Sequence, residues 1–196
     1  MAWMRSQRRE AGYDDSVWGI RHSREYWLGF LKLGAVNYPA LEVGCGDSGL
    51  WRFDAGVHGL DPLNYSHLGR NFTCGKAEAL PFPDKAFRDV ICVNALDHCE
   101  DPAKAVAEMR RVGQRLVLWS YVFPHESYQR LYSPHPYALT VGWISRALEG
   151  MNITCWCYVS PWEAFSGTST LAGKAKLLAA EWLGVRALLI HVEEKA

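Results

Sequence analysis

The stretch Leu41–Phe53, "LEVGCGDSGLWRF", decides how the rest of the chain is read. Gly44, Gly46 and Gly49 spell G-x-G-x-x-G, the spacing of turns that bring backbone against a dinucleotide pyrophosphate. The residues before it, "ALEVGC", read as a buried strand ending at the glycines. Glycines there let backbone approach a ligand where any Cβ would collide, and a following helix start offers unpaired N–H groups. Glu42, two residues before Gly44, argues against a phosphate. A carboxylate at that place repels a pyrophosphate and suits a cation, such as a sulfonium that also bears an ammonium group. The next strand, "GVHGLDP", ends at Asp61, an acceptor for both hydroxyls of a ribose. Asp61 lies 17 residues beyond Gly44, short of the roughly 20 of the nicotinamide fingerprint.

Working outward, 196 residues fit one domain able to close a core around a central sheet. Lysine plus arginine and aspartate plus glutamate both number 21, so no overall basic field exists to hold nucleic acid or an anionic membrane. The basic cluster "RSQRRE" reads as a solvated tail. No apolar run reaches the roughly 18 residues of a membrane span, and no secretory leader opens the chain, so a cytoplasmic protein is expected. Cys45, Cys74, Cys92, Cys99, Cys155 and Cys157 form no C-x-x-C pair. Reduced, mostly buried thiols and no metal site are expected. Nine tryptophans and nine tyrosines are enough to line a pocket as well as a core.

The elements alternate. Ser23 to Gly34 carries an N-cap residue, apolar Tyr26, Trp27, Phe30 and Leu31, and a glycine stop. "DVICVNAL" suits a central parallel strand, and Asp101 with Pro102 starts a helix whose apolar face carries Val106, Met109 and Val112. "QRLVLWSYVF" is a strand, Thr140 to Glu149 a helix, "MNITCWCYV" a strand, Leu171 to Leu183 a helix, and "VRALLIHVE" a final strand. Such alternation predicts a doubly wound α/β sheet with its ligand at the carboxyl ends of the strands. Residues 1–21 form an N-terminal segment, 22–34 a leading helix and 39–196 a Rossmann-like core within one domain.

"LEVGCGDSG", "GLDP", "AEALPFPDKAF", "NALDHCEDPAKAVAEMRRV" and "RLVLW", in this order, resemble the class I S-adenosylmethionine-dependent methyltransferases, in particular the small-molecule "type 11" group. The similarity is dense from Leu41 to Trp119 and looser through "SPHPYALTVGWISRAL". It implies a mostly parallel seven-stranded sheet with the last strand antiparallel and helices on both faces, S-adenosyl-L-methionine as cofactor, and methyl transfer to a small or medium organic acceptor. By resemblance, Glu42 and the turn Gly44, Cys45, Gly46, with Gly49, lie against the methionine part. Asp61 grips the ribose, with Pro62 or Leu63 beside the adenine. Ala77 and Glu78 edge the adenine ring, and Asn94 faces the methionine amino group.

Departures from that pattern carry expectations of their own. Lys76 stands where relatives have an aspartate, and an ammonium cannot accept from the adenine amino group. The segments from Gly46 to Asp61 and from Asp61 to Gly75 are short, which predicts reduced helices. A partner chain or a second copy that completes the site, or a non-catalytic cofactor-binding subunit, is therefore the rival reading; an NAD-dependent enzyme rests on the glycines alone. His98, just past the fourth strand, is the candidate general base; the alternative is that it caps the loop or pairs with Asp97 or Glu100. Tyr121, His125, His135 and Tyr137, in "YVFPHESYQRLYSPHPY", are the candidate substrate residues of a lid that could equally be packing.

Overall fold

The computed structural model describes residues 23–68, 71–125, 137–159 and 184–193. Its elements are α1 (Arg24–Phe30), β1 (Ala40–Val43), β2 (Val57–Asp61), β3 (Phe72–Cys74), β4 (Phe87–Val93), α2 (Pro102–Val112), β5 (Gly113–Val122), α3 (Val141–Ala147), β6 (Asn152–Val159) and β7 (Arg186–Glu193). They form one seven-stranded sheet in the order β3-β2-β1-β4-β5-β7-β6. β7 runs antiparallel to both β5 and β6, and the other pairings are parallel. Chain order reverses between β1 and β4, so their carboxyl ends flank the topological switch point. The doubly wound sheet with an inserted antiparallel last strand is thus the one expected.

Local chemistry explains where the elements begin and end. Ser23 caps α1 by accepting the Tyr26 N–H at 3.1 Å, and the left-handed Lys32, φ 50°, stops the helix short of Gly34. Asp101 caps α2 by accepting the Lys104 N–H at 3.1 Å, with Pro102 in the first turn. Gly113 lets α2 turn directly into β5: a Cβ there would lie 2.5 Å from Val90 Cγ2. Thr140 caps α3 rather than beginning it, accepting the Trp143 N–H at 3.1 Å. The edge strand β3 carries too few residues to stand out in the sequence. The predicted helix Leu171–Leu183 and the N-terminal segment 1–21 lie outside the described residues.

Alternating strand residues feed two cores. Leu41, Val90, Cys92, Leu116 and Ile190 face Val106, Met109 and Ile144 of α2 and α3. Ile91, Val117, Trp119 and Leu189 face the opposite way, onto Trp27, Leu31 and Trp51. The first two crossovers are short, as expected. A 3-10 turn, Leu50–Arg52, stands between β1 and β2, and another, Ser66–Leu68, between β2 and β3. Trp51, buried, and α1 fill the face left by the short first crossover.

One expectation is corrected: of the six cysteines, all free, only Cys45 and Cys92 are buried. Cys74, Cys155 and Cys157 sit on edge strands β3 and β6, where one flank of the strand lacks a neighbour within the sheet. Cys157 and Trp156 do face opposite cores. Among the described residues, no helix is long and apolar enough to cross a membrane.

Candidate cofactor site

Each glycine of the loop after β1 has its own steric reason. Gly44 and Gly46 have φ of 68° and 54°, the left-handed region that penalises a side chain. A Cβ on Gly44 would also lie 2.2 Å from Ala95 Cβ, so this position lets the β1 loop close against the β4 loop. A Cβ on Gly49 would lie 2.7 Å from both Glu42 carboxylate oxygens. The loop is held by the Gly44 and Cys45 N–H groups donating to Leu60 O, and by Trp51 Nε1 donating to Gly46 O at 3.1 Å. The Cys45 thiol is buried, and that burial pushes its pKa well up.

Two acids flank this loop. Glu42 is 2% exposed and accepts the Trp51 N–H at 2.8 Å. Burial pushes its carboxyl up to about 7, opposed by the Trp51 and Leu50 backbone donors and reinforced by the Asp61 charge. Asp61, at the end of β2, accepts Gly46 N–H at 3.1 Å through Oδ2 and Leu63 N–H at 2.9 Å through Oδ1. Pro62 stays beside the β3 end, its carbonyl 3.5 Å from Cys74 Sγ.

Asn94 completes the rim. It follows β4 with φ 48°, its N–H donating to Trp119 O. Its Oδ1 is buried without a hydrogen-bond partner, and such an acceptor costs free energy until a donor reaches it. An ammonium-bearing ligand seated on the glycine loop would supply that donor, and in this the residues present fit a cofactor with a cationic end.

The next wall is built differently from expectation. Ala77 and Glu78 are buried, but Glu78 Oε1 accepts the N–H groups of Glu100 and Asp101, tying this loop to the start of α2. Lys76 pairs with Glu100 at 3.0 Å. Tyr137 donates its hydroxyl to Glu100 O at 2.6 Å, which brings it to the same edge. His98 ends a buried 3-10 turn, Leu96–His98, with Nε2 3.8 Å from Asp97 Oδ1.

The remaining candidates lie around the end of β5. Tyr121 packs its ring 5.1 Å from that of Trp119. His125 is exposed and, with Phe123, Pro124, Thr140, Val141 and Gly142, borders an open cleft of about 430 Å³. His135 lies outside the described residues. Sequence reasoning missed Trp51, whose indole fixes the glycine loop, and Ala95, whose small side chain admits Gly44. Only the brevity of the segment after Gly49 hinted at the first, and nothing in the sequence marked the second.

Residues 41–115 match the family model of a methyltransferase domain. A search of curated proteins returns no match. Among solved structures, the chain is similar to the YcgJ protein from Bacillus subtilis, at 18% identity over 88% of this chain and 100% of that one, TM-score 0.63. It is also similar to a geranyl diphosphate C-methyltransferase from Streptomyces coelicolor A3(2), solved with Mg2+, geranyl diphosphate and S-adenosyl-L-homocysteine. There the identity is 16% over 88% of this chain and 78% of that one, TM-score 0.69. The [4+2]-cyclase SpnF shares the fold as well, at 19% identity over 88% and 80%, TM-score 0.61.

Proposed function

We propose that this chain, whose residues 41–115 match a methyltransferase domain, is a class I S-adenosylmethionine-dependent methyltransferase that transfers a methyl group to a small or medium organic acceptor. The observation that carries the proposal is the acceptor-rich rim. Glu42, Asp61 and the unsatisfied Asn94 Oδ1 stand at the carboxyl ends of β1, β2 and β4, around the glycine loop. S-adenosylmethionine supplies an electrophilic methyl on a sulfonium, and transfer is an in-line displacement that depends chiefly on positioning.

In this proposal Asn94 Oδ1 accepts from the methionine ammonium, and Gly44 to Gly46, with Cys45 between them, seat the methionine backbone. Asp61 accepts the ribose hydroxyls, Pro62 and Leu63 lie beside the adenine, and Ala77 and Glu78 edge it. Glu78 Oε1 is already engaged by two N–H groups, which favours a backbone acceptor for the adenine amino group. His98, beside Asp97, removes a proton from an oxygen or nitrogen acceptor. Tyr121, His125, His135 and Tyr137 meet the acceptor itself. The acceptor class is in keeping with the geranyl diphosphate of the Streptomyces neighbour. A cytoplasmic location is part of the same proposal.

A second reading, a partner-dependent or non-catalytic cofactor-binding subunit, is favoured by the 3-10 turns in place of helices and by the Lys76–Glu100 pair. SpnF, named as a cyclase, illustrates that the fold hosts other chemistries. Isothermal titration with S-adenosylmethionine and S-adenosylhomocysteine, followed by methyl transfer to acceptors in an extract, separates the readings. Binding with transfer is expected. No binding of either compound overturns both readings; binding without transfer leaves the second.

A further inference from the structure

Lys32 Nζ donates to Cys157 Sγ at 2.8 Å, across 125 residues of sequence and away from the cofactor rim. The backbone on the Lys32 side of this contact is firmly held. Lys32 is exposed, but Leu31 and Leu33 on either side of it are buried. Its left-handed backbone is fixed by Lys32 N–H to Gly29 O and Leu33 N–H to Leu28 O. Leu31 O is in turn hydrogen-bonded to His191 Nε2 of β7 at 2.8 Å. Cys157 is half-buried on β6, the edge strand of the sheet, and its Sγ also lies 3.7 Å from Tyr158 O. An amine is thus held at bonding range of a thiol that a small oxidant can reach.

We propose that Lys32 and Cys157 form a peroxide-driven covalent link, a sulfenamide, which ties the end of α1 to the sheet edge. The thiol sulfur attacks one oxygen of hydrogen peroxide; the S–O bond forms, the O–O bond breaks, and the second oxygen leaves as water with the thiol proton. Sulfur is oxidised by two electrons and peroxide is reduced. The Lys32 ammonium then gives one proton to the sulfenic hydroxyl, which departs as water. Its nitrogen bonds to sulfur and releases a second proton to solvent. A sulfenic acid condenses in this way with a nearby nitrogen as it does with a thiol. Reduction by an excess of external thiol attacks the same sulfur and frees the amine.

The test treats the full chain with hydrogen peroxide, blocks residual thiols, digests it and reads the peptides by mass spectrometry. A Lys32 peptide joined to a Cys157 peptide is expected, two hydrogens lighter than their sum and lost on incubation with dithiothreitol. Cys155→Ser should keep the link, whereas Lys32→Arg and Cys157→Ser should abolish it. In Lys32→Arg, dimedone should capture more Cys157 sulfenic acid than in the wild type. Absence of the joined peptide overturns the proposal. So does equal dimedone capture in the wild type and Lys32→Arg, since the lysine would then not be consuming the sulfenic acid.

Discussion

Glu42 joins the loop's structure to its chemistry. Its carboxyl is held up to about 7 by burial, above the ordinary value near 4.5, so between those pH values the folded chain binds a proton that the unfolded chain has released. Stability contributed by the protonated form is therefore full below about pH 4.5 and is lost as pH rises through 7, amounting to about 3 kcal/mol. Comparing wild type with Glu42→Gln by denaturant unfolding across pH 5 to 8 should show the wild type alone losing stability with rising pH. A cation seated beside Glu42 prefers the carboxylate. S-adenosylmethionine binding should accordingly weaken below pH 7, by at most tenfold per pH unit, and should release a proton. Titration in two buffers of different ionisation enthalpy measures that release. Asn94 offers a cleaner lesion. Asn94→Gly keeps the left-handed turn and removes the orphaned acceptor, so cofactor affinity should fall while the melting temperature holds; an unchanged Kd would place the ammonium elsewhere.

At the scale of elements, the sequence announced what depends on local rules and concealed what depends on neighbours. Asp101 with Pro102, and Ser23 before an apolar periodicity, marked the starts of α2 and α1 because capping is chemistry of adjacent residues. The resemblance put Asn94 at the end of β4, but the left-handed turn by which it meets the glycine loop through Ala95 was not legible. That Glu42 and Asp61 stand at successive strand ends beside the glycine loop was legible from residue types. The engagement of Glu78 by α2 was not, because it joins residues 22 and 23 positions apart. α2 itself is a test of packing: Met109, fully buried, should cost about 2–5 kcal/mol on truncation to alanine, measured by chemical denaturation. Removing the Asp101 cap with alanine should cost about 1 kcal/mol.

For the whole molecule, the shortened first crossover makes α1 part of the site's support. Trp27 Nε1 donates to Ser48 O at 3.3 Å, and Arg24 and Tyr38 both reach Asp54 at 2.6 Å on the far side of the Leu50–Arg52 turn. The segment between Gly46 and β2 is thus gripped from outside by α1 and from inside by Trp51, in place of a longer helix of its own. Truncating Trp27 removes a buried ring from the core that also holds Trp51 and Trp119, at about 3–5 kcal/mol. The same change removes the Trp27 Nε1 donor from Ser48 O. Trp27→Phe restores much of the ring without the donor, so the two contributions separate. Trp27→Ala should lower both the melting temperature and the affinity for S-adenosylmethionine. Trp27→Phe should recover most of the melting temperature but only part of the affinity, because the glycine loop would still lack its outer hydrogen bond. Full recovery of both by phenylalanine would mean that α1 serves the core alone, and that Trp51 by itself sets the loop.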